Sequence, residues 1–240
     1  VMRPIVRGNW PTNTAGENIV FTEYQQARGE LIKRMGEICS FCEMHLDTSL
    51  AVEHVQPKQP IGATAIIAAR LLDWHNFLLA CTNCNSTKSN KDVILDDYLW
   101  PDRDNTYHSF AYSEGGIVNA SATLSPLLQQ KANNMIKLVG LDKSPSVIKE
   151  ASDRRWLNRK EAWDLATRSK ERLTRSNTED MKAQIIETAQ AKGFWSVWMT
   201  VFKDDTDMLS RFINTFSGTC ADCFDSAKGF APIPRQGGLC

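Results

Sequence analysis

The chain carries two Cys-x-x-Cys pairs, one at positions 39 and 42 and the other at 81 and 84, with residues 43–80 between them. Zinc prefers four tetrahedral ligands, and four thiolates satisfy it without leaving a position open for chemistry. Cys39, Cys42, Cys81 and Cys84 are therefore expected to form a structural tetrathiolate zinc site, not disulfides or four unrelated buried thiols. A segment of this size has little core of its own, so metal binding would contribute directly to its folding. Between the pairs stand a Glu53-His54 dipeptide and Asn76; Asn85 directly follows the last cysteine, and Lys88 closes the run. Histidine is the side chain whose ordinary pKa lies nearest neutrality, yet an isolated one is more often structural than catalytic. Its place between metal ligands changes those odds.

Such residues need elements to hold them. Ala51, Val52 and Val55 flank Glu53 and His54, which reads as a strand with two polar groups at its end, stopped by Pro57. Residues 73–88 then supply Asn76, an apolar strand, the second cysteine pair and a short helix carrying Asn85 and Lys88. Upstream, the first residues read as an extended arm rich in Pro, Gly, Asn and Thr. Thr22 opens a Thr-x-x-Gln capping box and a helix that runs through residue 37. Residues 107–120 mix aromatic and β-branched side chains around Gly115-Gly116 and predict a hairpin. From Ser125 the pattern is helical: Ser125 and Pro126 suit a cap and first turn, Gly140 a stop, and amphipathic stretches follow at 153–175 and 205–216. The expected class is α+β, mainly helical. Residues 1–38 form an arm and helix, 39–100 a metal-tied module, and 101–240 a mainly helical region for partner or nucleic-acid contact.

The order Cys-x-x-Cys, Glu-His-x-x-Pro, Trp-x-Asn-apolar, Cys-x-x-Cys-Asn-x-x-Lys over residues 39–91 resembles that of the HNH nucleases. Their fold is the ββα-metal finger, so the resemblance implies a zinc-knuckle ββα-metal (HNH) module embedded in the helical body. The family usually ends its pattern with a third histidine in the helix; Asn85 stands there, as in the His-Asn-Asn members. The implied activity is endonucleolytic hydrolysis of nucleic-acid phosphodiester bonds, with DNA favoured over RNA, leaving 5′-phosphate and 3′-hydroxyl ends. On the matching positions, His54 would be the general base that draws a proton from the attacking water, a role that needs a neutral imidazole near pH 7. Glu53 and Asn85 would bind one Mg²⁺ or another divalent ion through hard oxygen ligands. That ion would stabilise charge on the phosphate and on the departing 3′ oxygen. Asn76 would bridge the loop and orient His54, and Lys88 would meet a phosphate. Glu53 departs from the pattern: many members carry aspartate there, and a longer glutamate leaves open whether it ligates directly or through water.

Three other histidines stand outside this set. His75 fills a slot that is variable and solvent-facing in the family. His45 follows Cys42 closely, but four cysteines already fill the zinc site, and His108 is expected to pack in or near the hairpin. Cys220, Cys223 and Cys240 lack a fourth ligand for a second zinc site and read as buried, inert thiols. Residues 232–240 read as a tail that orders against another surface.

Composition bounds the partners. No run approaches the roughly 18 apolar residues of a membrane span, and the first residues lack a signal-peptide core, so no membrane and a cytoplasmic location are expected. Lys plus Arg equal Asp plus Glu at 28 each, which argues against strong autonomous DNA binding; local patches or a partner would supply the phosphate grip. Residues 153–175 hold eight basic residues against four acids, with Trp156 and Trp163 on one helix face. They read as a phosphate- or partner-binding surface or, with more weight, as a solvated helix with a tryptophan-anchored core stripe. Residues 92–104 hold five aspartates and one arginine, a run that repels phosphate unless it caps helices or faces protein. The whole layout, with Arg3-Pro4-Ile5 at the start and the stretch 152–159, resembles the HNH subunits of ATPase-coupled anti-phage systems such as Septu and its retron-associated versions. That implies an antiviral defence role beside an ABC/SMC-type ATPase in a hetero-oligomer, and a nuclease that borrows its nucleic-acid grip from the partner. Two readings compete: a zinc-stabilised adaptor that only binds, and a stand-alone restriction-type HNH nuclease.

Overall fold

The arm at the start of the chain is extended and tied down. In the computed structural model, which describes residues 2–144 and 153–240, Met2 and Ile5 are buried. Arg3 donates to the carbonyls of Met35, Phe216 and Ser217 and to Thr219 Oγ1. Ser152, in the stretch behind the second resemblance, lies outside the described residues.

Gln26, not Gln25, reaches back to Thr22: its Oε1 accepts from Thr22 N at 2.9 Å and its Nε2 donates to Thr22 Oγ1 at 3.0 Å. The shift has a local cause. Glu23 is the last extended residue, so the third position of the following 3₁₀ turn, Tyr24–Ala27, is residue 26. Helix α1, Arg28–Met35, buries Leu31 and Met35 and stops at Gly36, whose φ of +79° suits glycine.

Strand β1, Ala51–His54, is followed by the short helix α2, Ala68–Leu71, and by a 3₁₀ turn at Trp74–Asn76, where the Asp73 side chain accepts from His75 N. Strand β2, Phe77–Ala80, pairs antiparallel with β1, placing Glu53 opposite Leu78 and His54 opposite Phe77. All four β2 residues are buried: the strand pairs with β1, packs on α1, and through Leu79 hydrogen-bonds Ser40 of the first knuckle. Helix α3, Thr82–Lys88, starts at once, with Cys81 as its cap. Two strands and a helix thus stand in the expected order.

Helix α4, Thr106–Ser109, leads into the expected hairpin of β3, Phe110–Ser113, and β4, Ile117–Ala120. Helix α5, Pro126–Val139, is capped by the Ser125 hydroxyl accepting from Leu128 N and ends at left-handed Gly140, as the residue types imply. Then come α6, Arg155–Arg175, α7, Glu179–Lys192, α8, Trp195–Val201, α9, Thr206–Thr215, and a two-residue pairing of β5, Phe224–Asp225, with β6, Ala231–Pro232. The class is α+β with helices predominating. One contiguous core draws on all three expected segments, from Met2 and Leu31 through Trp74 and Leu79 to Trp195 and Phe212. Among the described residues no helix is long and apolar enough to cross a membrane.

Two expectations about the helical body change. The buried stripe of α6 is Arg155, Arg159, Ala162, Ala166, Ser169 and Leu173, while Trp156 and Trp163 are only half-buried. Small residues let α6 pack closely on α8, so the tryptophans flank the contact instead of anchoring it. The tail orders against its own chain: Leu239 N donates to Asp104 Oδ1 at 2.7 Å and Cys240 O accepts from Asn105 N at 2.8 Å. The acidic run divides: Asp92, Asp96 and Asp97 are exposed, whereas Asp102 and Asp104 face protein. Asp102 pairs with Arg7 at 2.9 Å, Asp92 with Arg70 at 3.1 Å, and Asp104 Oδ2 accepts from Trp100 N at 2.7 Å. Cys220, Cys223 and Cys240 are buried, and none belongs to a metal-sized cluster among the described residues.

Candidate metal centre and catalytic cleft

The four knuckle cysteines converge. Cys39 and Cys42 lie in the turn after α1, and Cys81 and Cys84 at the start of α3; all are buried, with their sulfurs within 4.8 Å of one another. The Cys42 and Cys81 sulfurs are 3.7 Å apart, against about 3.8 Å for a tetrahedron with metal–sulfur bonds of about 2.3 Å. Backbone amides point at the cluster: Cys81 N donates to Cys39 Sγ at 3.3 Å and Cys84 N to Cys81 Sγ at 3.4 Å. Ser40 pins the first knuckle to β2, its N donating to Leu79 O at 2.8 Å and its Oγ accepting from Leu79 N at 3.3 Å. Hydrogen bonds from neighbouring sulfurs push the Cys42 thiol far up and pull the Cys81 thiol far down. Four sulfurs this close ionise together only around a cation. The cluster can hold a structural metal such as zinc. His45 is no part of it; its ring lies 3.9 Å from Glu37.

Beside the cluster, at the end of β1, Tyr24, Glu53, His54, Lys58, Asn85 and Ser89 share a cavity of about 130 Å³. His54 Nε2 lies 3.0 Å from the Leu71 carbonyl. A carbonyl only accepts, so Nε2 carries the proton and Nδ1 keeps its lone pair. The ring is wedged edge-on between Tyr24 and Phe77, with centroids 4.8 and 5.2 Å away. Burial lowers its pKa below the ordinary value; the Leu71 bond opposes the shift and the Lys58 and Lys88 charges add to it. Burial thus favours the neutral imidazole.

Asn76 sits where the loop must be bridged. Its Oδ1 accepts from Gln56 N at 2.8 Å, and its Nδ2 donates to the carbonyls of Gln56 and Arg70, both at 2.9 Å. It thereby ties the residues after His54 to the segment that ends in Leu71, with no hydrogen bond to the ring among the described residues. Asn85, half-buried on α3, lines the cavity, and its amide makes no hydrogen bond among the described residues.

Lys88 corrects the expectation of a phosphate contact. It has no exposed surface, and its Nζ lies 2.7 Å from both Glu53 Oε1 and the His54 carbonyl. The cause is helical spacing: Cys84 must face inward, and residue 88, one turn on, shares that face. Burial raises the Glu53 pKa, and the Lys88 charge opposes the rise. Glu53 and Asn85 both line the cavity, so a hard divalent ion held there would meet carboxylate and amide oxygens, with the Lys88 ammonium already on one Glu53 oxygen.

Among the described residues that line the cleft the cation is Lys58, a residue the motif does not mark. Its Nζ lies 4.2 Å from the centre of the Tyr24 ring, which itself packs on His54. Lys58 follows Pro57 directly, a visible signal; nothing in the sequence couples Tyr24 to the motif. His75 is exposed, and His108 is half-buried at the end of α4 beside β3. A comparison with protein-family models and with curated proteins finds no match for this chain.

Proposed function

We propose that the chain is a metal-dependent endonuclease of the HNH type that hydrolyses phosphodiester bonds in nucleic acid, DNA in preference to RNA. One observation carries this reading. A buried histidine is locked by its Nε2 onto the Leu71 carbonyl, with no hydrogen bond to Nδ1 among the described residues, in a cavity that also takes in Glu53 and Asn85.

In this reading Cys39, Cys42, Cys81 and Cys84 hold a structural zinc ion that pins β1–β2 to α3. Glu53 and Asn85 hold a divalent ion, which when bound supplies charge stabilisation at the phosphate and the departing oxygen. His54 Nδ1 takes the proton of the attacking water. Asn76 keeps the Leu71 carbonyl in place and so fixes which nitrogen is bare. Lys58, not Lys88, meets the substrate phosphate. A neutral chain with one accessible cation among the residues lining its cleft has little grip of its own on nucleic acid. We therefore place it as the effector subunit of an ATPase-coupled anti-phage complex, where the partner supplies that grip.

His54→Ala is expected to abolish Mg²⁺-dependent plasmid cleavage by the assembled complex while zinc content stays unchanged. Cleavage retained in the variant puts the base elsewhere. A second reading, a zinc-stabilised adaptor that only binds, is favoured by the ammonium of Lys88 on Glu53, which repels a second cation. Titration with Mn²⁺, followed by electron paramagnetic resonance, separates them: the adaptor leaves all Mn²⁺ free.

A further inference from the structure

Arg155 lies at the start of α6, outside the segment that holds the four cysteines, and is 3% exposed. Its Nη1 donates to Cys84 Sγ at 3.0 Å and to the Val139 carbonyl at 2.7 Å. Its Nη2 donates to the Gly140 carbonyl at 3.1 Å and to Asp153 Oδ2 at 2.6 Å, and its Nε to Asp153 Oδ1 at 2.8 Å. The planar fork is thus fixed on its other edges by a carboxylate and by two carbonyls at the end of α5, where α-helical C-terminal oxygens have no partner of their own. A guanidinium so constrained cannot swing away from the sulfur. One turn on, Arg159 is equally buried; it donates to the Gly116 and Leu141 carbonyls at 2.6 and 3.2 Å and leaves Nη1 unpaired among the described residues.

Four thiolates around a divalent ion carry an excess of two negative charges, in a site with no solvent access. An N–H directed at one sulfur draws off part of that charge, relieves the repulsion among four crowded thiolates, and fixes the sulfur's orientation toward the ion. We infer that Arg155 is a positioning residue of the zinc site, and that the ion's retention depends on the end of α5 and the start of α6 as well as on the knuckles. The inference rests on the zinc reading above. It makes α6 a clasp on the metal-tied module. A movement of α6 that withdrew Arg155 would loosen the ion without any change in its ligands.

The test uses the full chain with Arg155→Met, Arg155→Lys and, as a control, Leu173→Ala. Leu173 is buried on the same helix, roughly 27 Å further along its axis at 1.5 Å per residue. Zinc content is measured first, then the rate of zinc transfer to EDTA, then the thiolate-to-metal charge-transfer band after Co²⁺ substitution. Arg155→Met is expected to lose zinc about 10- to 100-fold faster and to shift the Co²⁺ band. Arg155→Lys should recover part of both effects, whereas Leu173→Ala should lower the melting temperature and change neither. If Arg155→Met fails to fold, added zinc should restore the fold by mass action; failure of excess zinc to do so overturns the inference. An unchanged release rate and band in a zinc-loaded variant also overturn it. A wild-type chain that carries no zinc overturns the zinc reading itself, a distinct result.

Discussion

The Nζ of Lys88 lies 2.7 Å from Oε1 of Glu53, with side-chain exposures of 0% and 8%. A buried ion pair adds little net stability when complete, but removing one partner leaves a charge without compensation, at a cost of about 3–5 kcal/mol. Lys88→Met should therefore destabilise the fold by about 3–5 kcal/mol in urea denaturation at pH 7. The deficit should shrink in acid. Glu53 already sits above its ordinary value of 4.5, and losing Lys88 removes the opposing charge. A carboxyl with a raised folded pKa binds more protons folded than unfolded. Its contribution is full below 4.5 and lost as pH rises through the folded value. A deficit that is the same at pH 4 and pH 7 sinks this account.

Lys58 should behave in the opposite way. Its ammonium rests on the Tyr24 ring at the cavity, a contact worth about 0.5–1 kcal/mol at an accessible position. Lys58→Ala should leave stability within that margin, raise KM for nucleic acid, and reduce the slope of binding against salt by about one. Denaturation and salt titration of Lys58→Ala beside Lys88→Met distinguish a substrate contact from a structural cation. Should Lys58→Ala bind with an unchanged salt slope, the phosphate contact is assigned wrongly.

Much of this was legible because the constraints are local. Thiol spacing, the polar pair at a strand end, Ser125 and Gly140 around α5, and Gly115-Gly116 in the hairpin each declare themselves within a few residues. What was not legible is direction. Lys88 reads as a surface lysine until the inward face of Cys84 fixes the helix rotation, a step available from the sequence but outweighed by the motif. Arg155 and Arg159 read as part of a basic surface because charge count does not reveal which face of a helix meets a buried thiolate. Tyr24 reaches His54 only through the antiparallel pairing of β1 with β2 and the packing of the preceding turn, a non-local arrangement.

His54 gives a pH signature. Its pKa lies below the ordinary 6.5, chiefly through burial. A general base works in its neutral form, so activity rises with pH through that value. The midpoint of the acid limb of cleavage by the assembled complex should therefore lie below 6.5. In Tyr24→Ala, which opens one side of the ring to water, the acid limb should move up toward 6.5. An acid limb at or above 6.5 in the wild type contradicts a buried, desolvated base.

Asn76 offers the sharpest separation of positioning from binding. Alanine there leaves the Gln56 amide and the Gln56 and Arg70 carbonyls short of a partner, each costing about 1–3 kcal/mol if water cannot reach it. The segment bearing the Leu71 carbonyl then loosens, and the proton on His54 is no longer confined to Nε2. Asn76→Ala should thus lower kcat while leaving KM near the wild-type value, because the residue does not line the cavity. Asn76→Asp supplies the harder test. It retains an oxygen to accept from Gln56 N but sets a carboxylate against two carbonyl oxygens that had received N–H groups. At pH 7 it should be less stable than Asn76→Ala. As pH falls and the new carboxyl takes up a proton that one carbonyl can accept, the order should close or reverse. If Asn76→Asp matches the wild type in stability and kcat at pH 7, Asn76 does not hold the loop that fixes His54.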